Sequence, residues 1–141
     1  MAFRPGFRAY VGLDNAGGSL QNLSAYFDDV SLPYSTEMLE TTTFGSSVKR
    51  FIAGLSGGDT VSLSGPMDVT VVSHIGSCLA AQAAGTAGFS FEYGPGGSVS
   101  GQPKQTCEVL IAGFEPSTGV GGRAELSVTL QIDGAVTTAT Y

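Results

Sequence analysis

His74 is the single histidine of the chain, and its polar neighbours are Ser73 and Ser77. A histidine that works as a general base needs a nucleophile and an orienting partner within hydrogen-bond reach. Neither serine forms a recognisable motif with it, so His74 reads as an ordinary structural or surface residue. Asp28 and Asp29 are adjacent. Neighbours on a strand point to opposite faces, so the pair reads as a strand-end turn and not as a paired-carboxylate site. Cys78 and Cys107 belong to no CxxC and have no histidine at metal-ligand spacing. They read as buried free thiols that pack as small apolar groups. Gly94-Pro95-Gly96-Gly97-Ser98 lacks the Gly-Lys-Ser/Thr ending of a phosphate loop, and Val99 stands where a dinucleotide fingerprint needs its third glycine. It reads as a hairpin tip. No stretch offers the alternating oxygen ligands of a calcium loop. These residues call for no cofactor and no metal, and they support no enzyme.

With chemistry absent, surfaces become the question. The chain has 141 residues, enough for one domain, and 42% are hydrophobic, enough for a real core. Only 13% are charged, against about a quarter in ordinary globular chains. Such a chain either hides much of its surface in an assembly or carries a Ser/Thr/Gly surface that is polar without charge. Net charge is −6 with a pI near 4.4. The basic residues Arg4, Arg8, Lys49, Arg50, Lys104 and Arg123 are scattered, and only Lys49 and Arg50 are adjacent. That excludes the basic stripe of a tight nucleic-acid binder. An acidic wall past which DNA slides without adhering stays compatible. The opening Met-Ala-Phe-Arg-Pro-Gly-Phe-Arg lacks the apolar core of a secretory signal. No apolar run approaches the roughly 18–20 residues of a membrane span. The expectation is a cytosolic protein, or one in a particle assembled there, with no membrane partner.

Alternation places the elements. Residues 1–8 predict an extended N-terminal arm. Ala9–Leu13 predicts a short strand closed by the turn Asp14-Asn15-Ala16-Gly17-Gly18. Asn22–Leu32 predicts one strand, with Leu23, Ala25 and Phe27 on one face, stopped by Pro33. Residues 33–58 then form a long arm around Glu40–Leu55, too long for a hairpin turn and too apolar for a solvated loop. Phe51, Ile52 and Leu55 suit one helical turn against the sheet. A connection of this length in a small domain is usually functional, and its simplest partner is another copy of the chain. Asp59–Ser64 alternates again. Gly65-Pro66-Met67-Asp68 starts a helix whose face carries Val71, Val72, Ile75, Cys78, Leu79 and Gln82, and Gly85 stops it. Strands follow at Ala87–Tyr93, with Phe89, Phe91 and Tyr93 on one face, and at Thr106–Phe114. The strand Arg123–Asp133 has Ala124, Leu126, Val128, Leu130 and Ile132 on one face. Gly134 breaks or bulges it before Ala135–Tyr141. Six or seven strands and one helix give a mainly β fold, an antiparallel β-sandwich or barrel with one flanking α-helix and a long inter-strand arm.

Leu23-Ser24-Ala25-Tyr26-Phe27-Asp28-Asp29-Val30-Ser31-Leu32-Pro33, Glu40-Thr41-Thr42-Thr43-Phe44-Gly45 and Phe51-Ile52-Ala53-Gly54-Leu55 resemble the N-terminal half of phage tail tube proteins (major tail proteins) of long-tailed bacteriophages. Phe89-Ser90-Phe91-Glu92-Tyr93-Gly94-Pro95 with Gly101-Gln102-Pro103-Lys104, and the ending Val128–Thr137, resemble that family's hairpin and final strands. The likeness covers most of residues 22–138, with no such motif in 67–85. It implies a structural virion protein, assembled into stacked hexameric rings that form a hollow tube for DNA. Its partners would be copies of itself and other phage tail proteins (tape measure, tail tip, terminator), with DNA in transit and not specifically bound. Its location would be the virion tail, assembled in the host bacterial cytoplasm. On this reading Thr41, Thr42, Thr43, Phe44, Lys49, Arg50 and Phe51 are subunit-interface candidates. Glu125 and Asp133 are lumen-facing candidates, although the outside of the tube suits that face as well. Two alternatives stand beside it. One is a capsid decoration or head–tail connector protein. The other is a non-catalytic ligand-binding β-sandwich using Tyr93 and the glycine-rich loops, which the lack of tryptophan disfavours for sugars.

Overall fold

The structure is a computed structural model that describes residues 6–85 and 88–141. Its spine is the strand Glu125–Thr140 (β9 in chain order), 16 residues long. Leu126, Val128, Leu130 and Ile132 alternate along it and are all buried. Each such side chain contributes roughly 1.5–3 kcal/mol on burial. β9 pairs on one side with Pro103–Ser117 (β8) and on the other with Thr60–Pro66 (β6). Phe89–Gly94 (β7) adds to β8, and Tyr10–Asp14 (β1) adds to β7. Leu20–Asn22 (β2) and Asp29–Ser31 (β3) form the two edges. The seven strands make one antiparallel sheet in the order β2-β1-β7-β8-β9-β6-β3. Thr36–Glu40 (β4) and Phe51–Ser56 (β5) pair apart from it as a second, two-stranded sheet.

The expected single strand Asn22–Leu32 is instead broken in two, with a 3₁₀ turn at Ser24–Tyr26. The cause is local. Asn22 Oδ1 accepts hydrogen bonds from Ser24 N at 3.0 Å and from Ser24 Oγ at 2.6 Å. A short polar side chain of this kind competes with a strand ladder. The turn also closes the sheet. Val11 N donates to Ser24 Oγ at 2.9 Å, and Leu23 N donates to Val11 O at 2.9 Å. On the other side Asp28 N donates to Ser64 O at 2.9 Å and leads into β3. Residues 23–28 thus cross from one edge of the sheet to the other. A chain that short spans about 20 Å at most, so the sheet must curl until its edges meet. Gly65 lies under the crossing, where a Cβ would collide with the carbonyl oxygen of Tyr26.

The helix Val69–Ala83 (α1) matches the spacing in the sequence. Asp68 caps it by accepting from Thr70 N at 2.8 Å, and Gly85 follows its end at φ +108. Val71, Ile75 and Cys78 are buried in the same core as the sheet. Gln82 reaches β8, where Oε1 accepts from Ile111 N at 2.8 Å and Nε2 donates to Ile111 O at 3.1 Å. Those bonds hold the strand where its register with β9 shifts, between Ile111 and Gly113.

Of the two outcomes expected at Gly134, a break or a bulge, the strand takes the second: at φ +97 Gly134 lies where the register shifts between Thr106–Thr137 and Glu108–Asp133, and β9 continues to Thr140. Other expectations change. The partner strand begins at Pro103, not at Thr106, because Pro103–Thr106 pair with Thr137–Thr140. Of the expected extended arm 1–8, residues 1–5 lie outside the described residues, and Gly6–Arg8 form a 3₁₀ turn held by Ala9 N donating to Gly6 O at 3.1 Å. Ala87, expected to open a strand, also lies outside them, and β7 starts at Phe89.

Leu126 is 1% exposed. Leu126→Asp places an unpaired carboxylate in the core, so no soluble protein with native β circular dichroism is expected. A soluble variant with the parent melting temperature would contradict that assignment. Gly65→Ala should cost about 1–3 kcal/mol through overpacking, read as a lowered thermal midpoint, whereas Gly18→Ala near an open turn tests only backbone strain.

Candidate functional site

The arm is a β-hairpin. Met38 pairs with Ala53, Leu39 with Ile52 and Glu40 with Phe51. The expected helical turn of Phe51, Ile52 and Leu55 is therefore a strand. A helical face needs a surface to bury itself on, and these three side chains are all exposed. Their β-branched and aromatic character is satisfied by cross-strand pairing instead. The root is pinned to the body by Asp59, whose carboxylate accepts from Ser35 N at 2.8 Å and Ser35 Oγ at 2.9 Å.

The threonines shape the tip. Arg50 N donates to Thr42 Oγ1 at 3.0 Å, and Thr41 N donates to Arg50 O at 2.8 Å. Ser46 N donates to Thr43 O at 2.9 Å. Thr41, Thr42, Thr43, Phe44, Lys49, Arg50 and Phe51 all lie exposed on this one hairpin. The sequence missed Met38 and Leu39, which the pairing adds to the apolar set. Met38 and Phe51 share one hairpin face with Ala53, and Leu39 and Ile52 share the other. Both faces are exposed. An isolated two-stranded hairpin is marginally stable in water, and a contiguous exposed apolar surface marks a binding site.

The two lumen-facing candidates lie apart. Glu125 begins β9 and accepts from Arg123 Nε at 3.0 Å, while Arg123 Nη2 bonds Asp28 at 2.5 Å. Asp133 is eight residues further along the same strand, about 27 Å at a strand's rise per residue. It pairs across the ladder with Glu108. Ser90 joins Glu108 to Asp14: its hydroxyl donates to Glu108 Oε1 at 2.8 Å, and its N donates to Asp14 Oδ2 at 3.0 Å. Asp14, Glu92 and Glu108 line a concavity of about 490 Å³ with Thr106 and Thr137. Lys104, 3.8 Å from Glu92, is the basic residue paired there. Asp14, Glu92 and Glu108 escaped the sequence reading because each is one polar position in a separate strand. Only the register collects them.

His74 packs against the end of β1. Its Nε2 lies 3.0 Å from Asp14 O, and burial lowers its pKa. Cys78 Sγ donates to the same carbonyl at 3.3 Å. Both cysteines are buried and free. Among the described residues no group of three or more His, Cys, Asp or Glu side chains is placed to hold a metal ion, and no helix is long and apolar enough to cross a membrane.

No protein-family model matches the sequence, and no curated protein does. Solved structures match over nearly the whole chain. A chain from the tail of an empty gene transfer agent particle with C6 symmetry superposes at TM-score 0.77 with 13% identity, covering 98% of this chain and 100% of that one. A chain of the SPP1 tail tube does so at 0.69 with 17% identity, covering 99% and 80%. A chain from the sheath–tube complex of an extracellular contractile injection system, PVC, matches at 0.70 with 15% identity, covering 99% and 93%. This chain therefore has the fold of those tail and tube chains from end to end.

Burial first, then the charge of Glu108, raises the Cys107 thiol from 9.0 to about 11. The folded state favours the neutral thiol, so this contribution is complete below pH 9 and is lost as pH rises through about 11. Urea midpoints of the parent should fall between pH 9 and 11, and Cys107→Ala should reduce that fall. An equal fall in both would assign it to other groups.

Proposed function

We propose that this chain is the structural subunit of a hollow phage-type tail tube, built from stacked six-membered rings through which DNA passes. The observation that carries the reading is the arm: a hairpin that projects from the body with apolar side chains exposed on both faces. Such a hairpin gains most of its stability from a surface outside its own subunit. The whole-length likeness to tail and tube chains supports the same reading, and the six-fold symmetry of one matched tail supports the ring number.

The acidic face of β7, β8 and β9 suits a lumen wall. Asp14, Glu92, Glu108 and Asp133 would repel the phosphate backbone and keep DNA from adhering. Asp133 keeps its role as a lumen candidate. Glu125 is the weaker one, since Arg123 offsets it. The arm residues Thr41–Phe44 and Lys49–Phe51 would dock on neighbouring subunits. Other tail proteins, including a tape measure, a tail tip and a terminator, would complete the particle, assembled in the bacterial cytoplasm. No catalytic role belongs to this reading.

Negative-stain electron microscopy of the concentrated protein should show rings or hollow tubes of uniform width. Replacing residues 36–56 by a short Gly-Ser turn should leave a folded β domain that remains monomeric by analytical ultracentrifugation. Trimers that bind capsid shells without forming tubes would instead establish a decoration protein. An arm-less variant that still forms tubes would remove the arm from assembly.

A further inference from the structure

Where the curled sheet's edges approach, they leave a groove of about 560 Å³. Phe7, Val11, Val30 and Tyr93 give it an apolar lining, and Asp28 and Asp29 flank it. Both carboxylates are exposed. β3, which carries Asp29 and Val30, is an edge strand with a ladder partner on one side only.

Asp28-Asp29 is the one place in the sequence where two acidic residues are adjacent, and Lys49-Arg50 is the one place where two basic residues are. Of the acidic pair, Asp28 is already bonded to a cation and Asp29 is the carboxylate left over. Arg123 bonds Asp28 but shares itself with Glu125. The Arg8 guanidinium lies 5.7 Å from the centre of the Phe7 ring. Among the described residues Asp29 takes part in no ion pair.

The arm tip has the matching chemistry. Phe44 and Val48 are exposed apolar side chains directly before Lys49 and Arg50. The backbone bonds that shape the tip stay within it, so its own subunit leaves the apolar end uncovered. The strand Thr36–Glu40 alone spans about 17 Å at a strand's rise per residue, and the tip extends beyond it.

We propose that this groove is the receptor for the arm tip of a second copy. Phe44 and Val48 seat on the apolar lining, and Lys49 and Arg50 face Asp28 and Asp29. The inference rests on the assembly reading above and deepens it by naming the surface the arm binds.

The test is disulfide capture between two full-length variants, Val48→Cys at the tip and Phe7→Cys at the groove, mixed under mild oxidation. The native thiols are buried and do not compete. The expected result is a heterodimer formed in clear excess over either homodimer. Asp29→Lys in the groove variant should abolish it, and adding Lys49→Glu with Arg50→Glu to the tip variant should restore it. Circular dichroism confirms that each variant is folded. A random mixture of dimers, or capture unaffected by charge reversal, overturns the proposal. So does an internal disulfide in a dilute chain carrying both cysteines, since the arm would then fill its own groove. Tubes without the cross-link defeat this receptor but leave the tube reading standing. The cross-link without tubes does the reverse.

Discussion

The structure depends on the ladder between β8 and β9. These two strands run antiparallel from Pro103–Thr140 at one end to Ser117–Glu125 at the other. β9 offers one unbroken apolar face, Leu126 to Ile132, and a full set of hydrogen-bonding groups on both edges. Every other strand of the main sheet is added outward from this pair: β6 and β3 on one side, β7, β1 and β2 on the other. The helix is placed by it too, through the two bonds of Gln82 to Ile111.

Curling follows from the crossing at residues 23–28. A flat sheet of seven strands would separate β2 and β3 by six interstrand spacings, near 29 Å at about 4.8 Å each. The crossing is shorter than that, and hydrogen bonds fix both of its ends. The sheet therefore wraps around Leu13, Phe89, Phe91, Leu130 and the buried face of α1. Closure also explains why the arm is tolerated. β3 and β6 are ladder neighbours, so residues 33–58 amount to an enlarged connection between two paired strands. Lengthening such a connection adds little closure entropy. The buried core does not include the arm.

Low charge and surface apolarity have one origin on this reading. A chain with few charges that also exposes Met38, Phe44, Phe51, Ile52 and Leu55 is built to be covered. Four of the twelve carboxylates, Asp14, Glu92, Glu108 and Asp133, share one face of the sheet, where Glu108 and Asp133 stand directly opposite each other. Like charges in that position cost stability.

The sequence by itself determined what is local. Period-two alternation exposed the core strands at Phe89–Phe91 and Leu126–Ile132. The proline, the acidic cap and the three-four spacing exposed the helix. The absence of chemical motifs pointed away from catalysis toward surfaces, and the family motifs pointed to the tube fold. It misled where two local preferences compete. Leu23, Ala25 and Phe27 alternate like a strand, but Asn22 and Ser24 turn the chain first. Phe51, Ile52 and Leu55 suit a helical turn, yet they have no surface to bury against and pair with Met38 and Leu39. Only the tertiary structure decided the sheet order, the closing of its edges, and the meeting of Asp14, Glu92, Glu108 and Asp133. Those depend on register between strands as distant in sequence as Tyr10 and Gly94, and hydrophobic patterning names a strand's inward face without naming its neighbour.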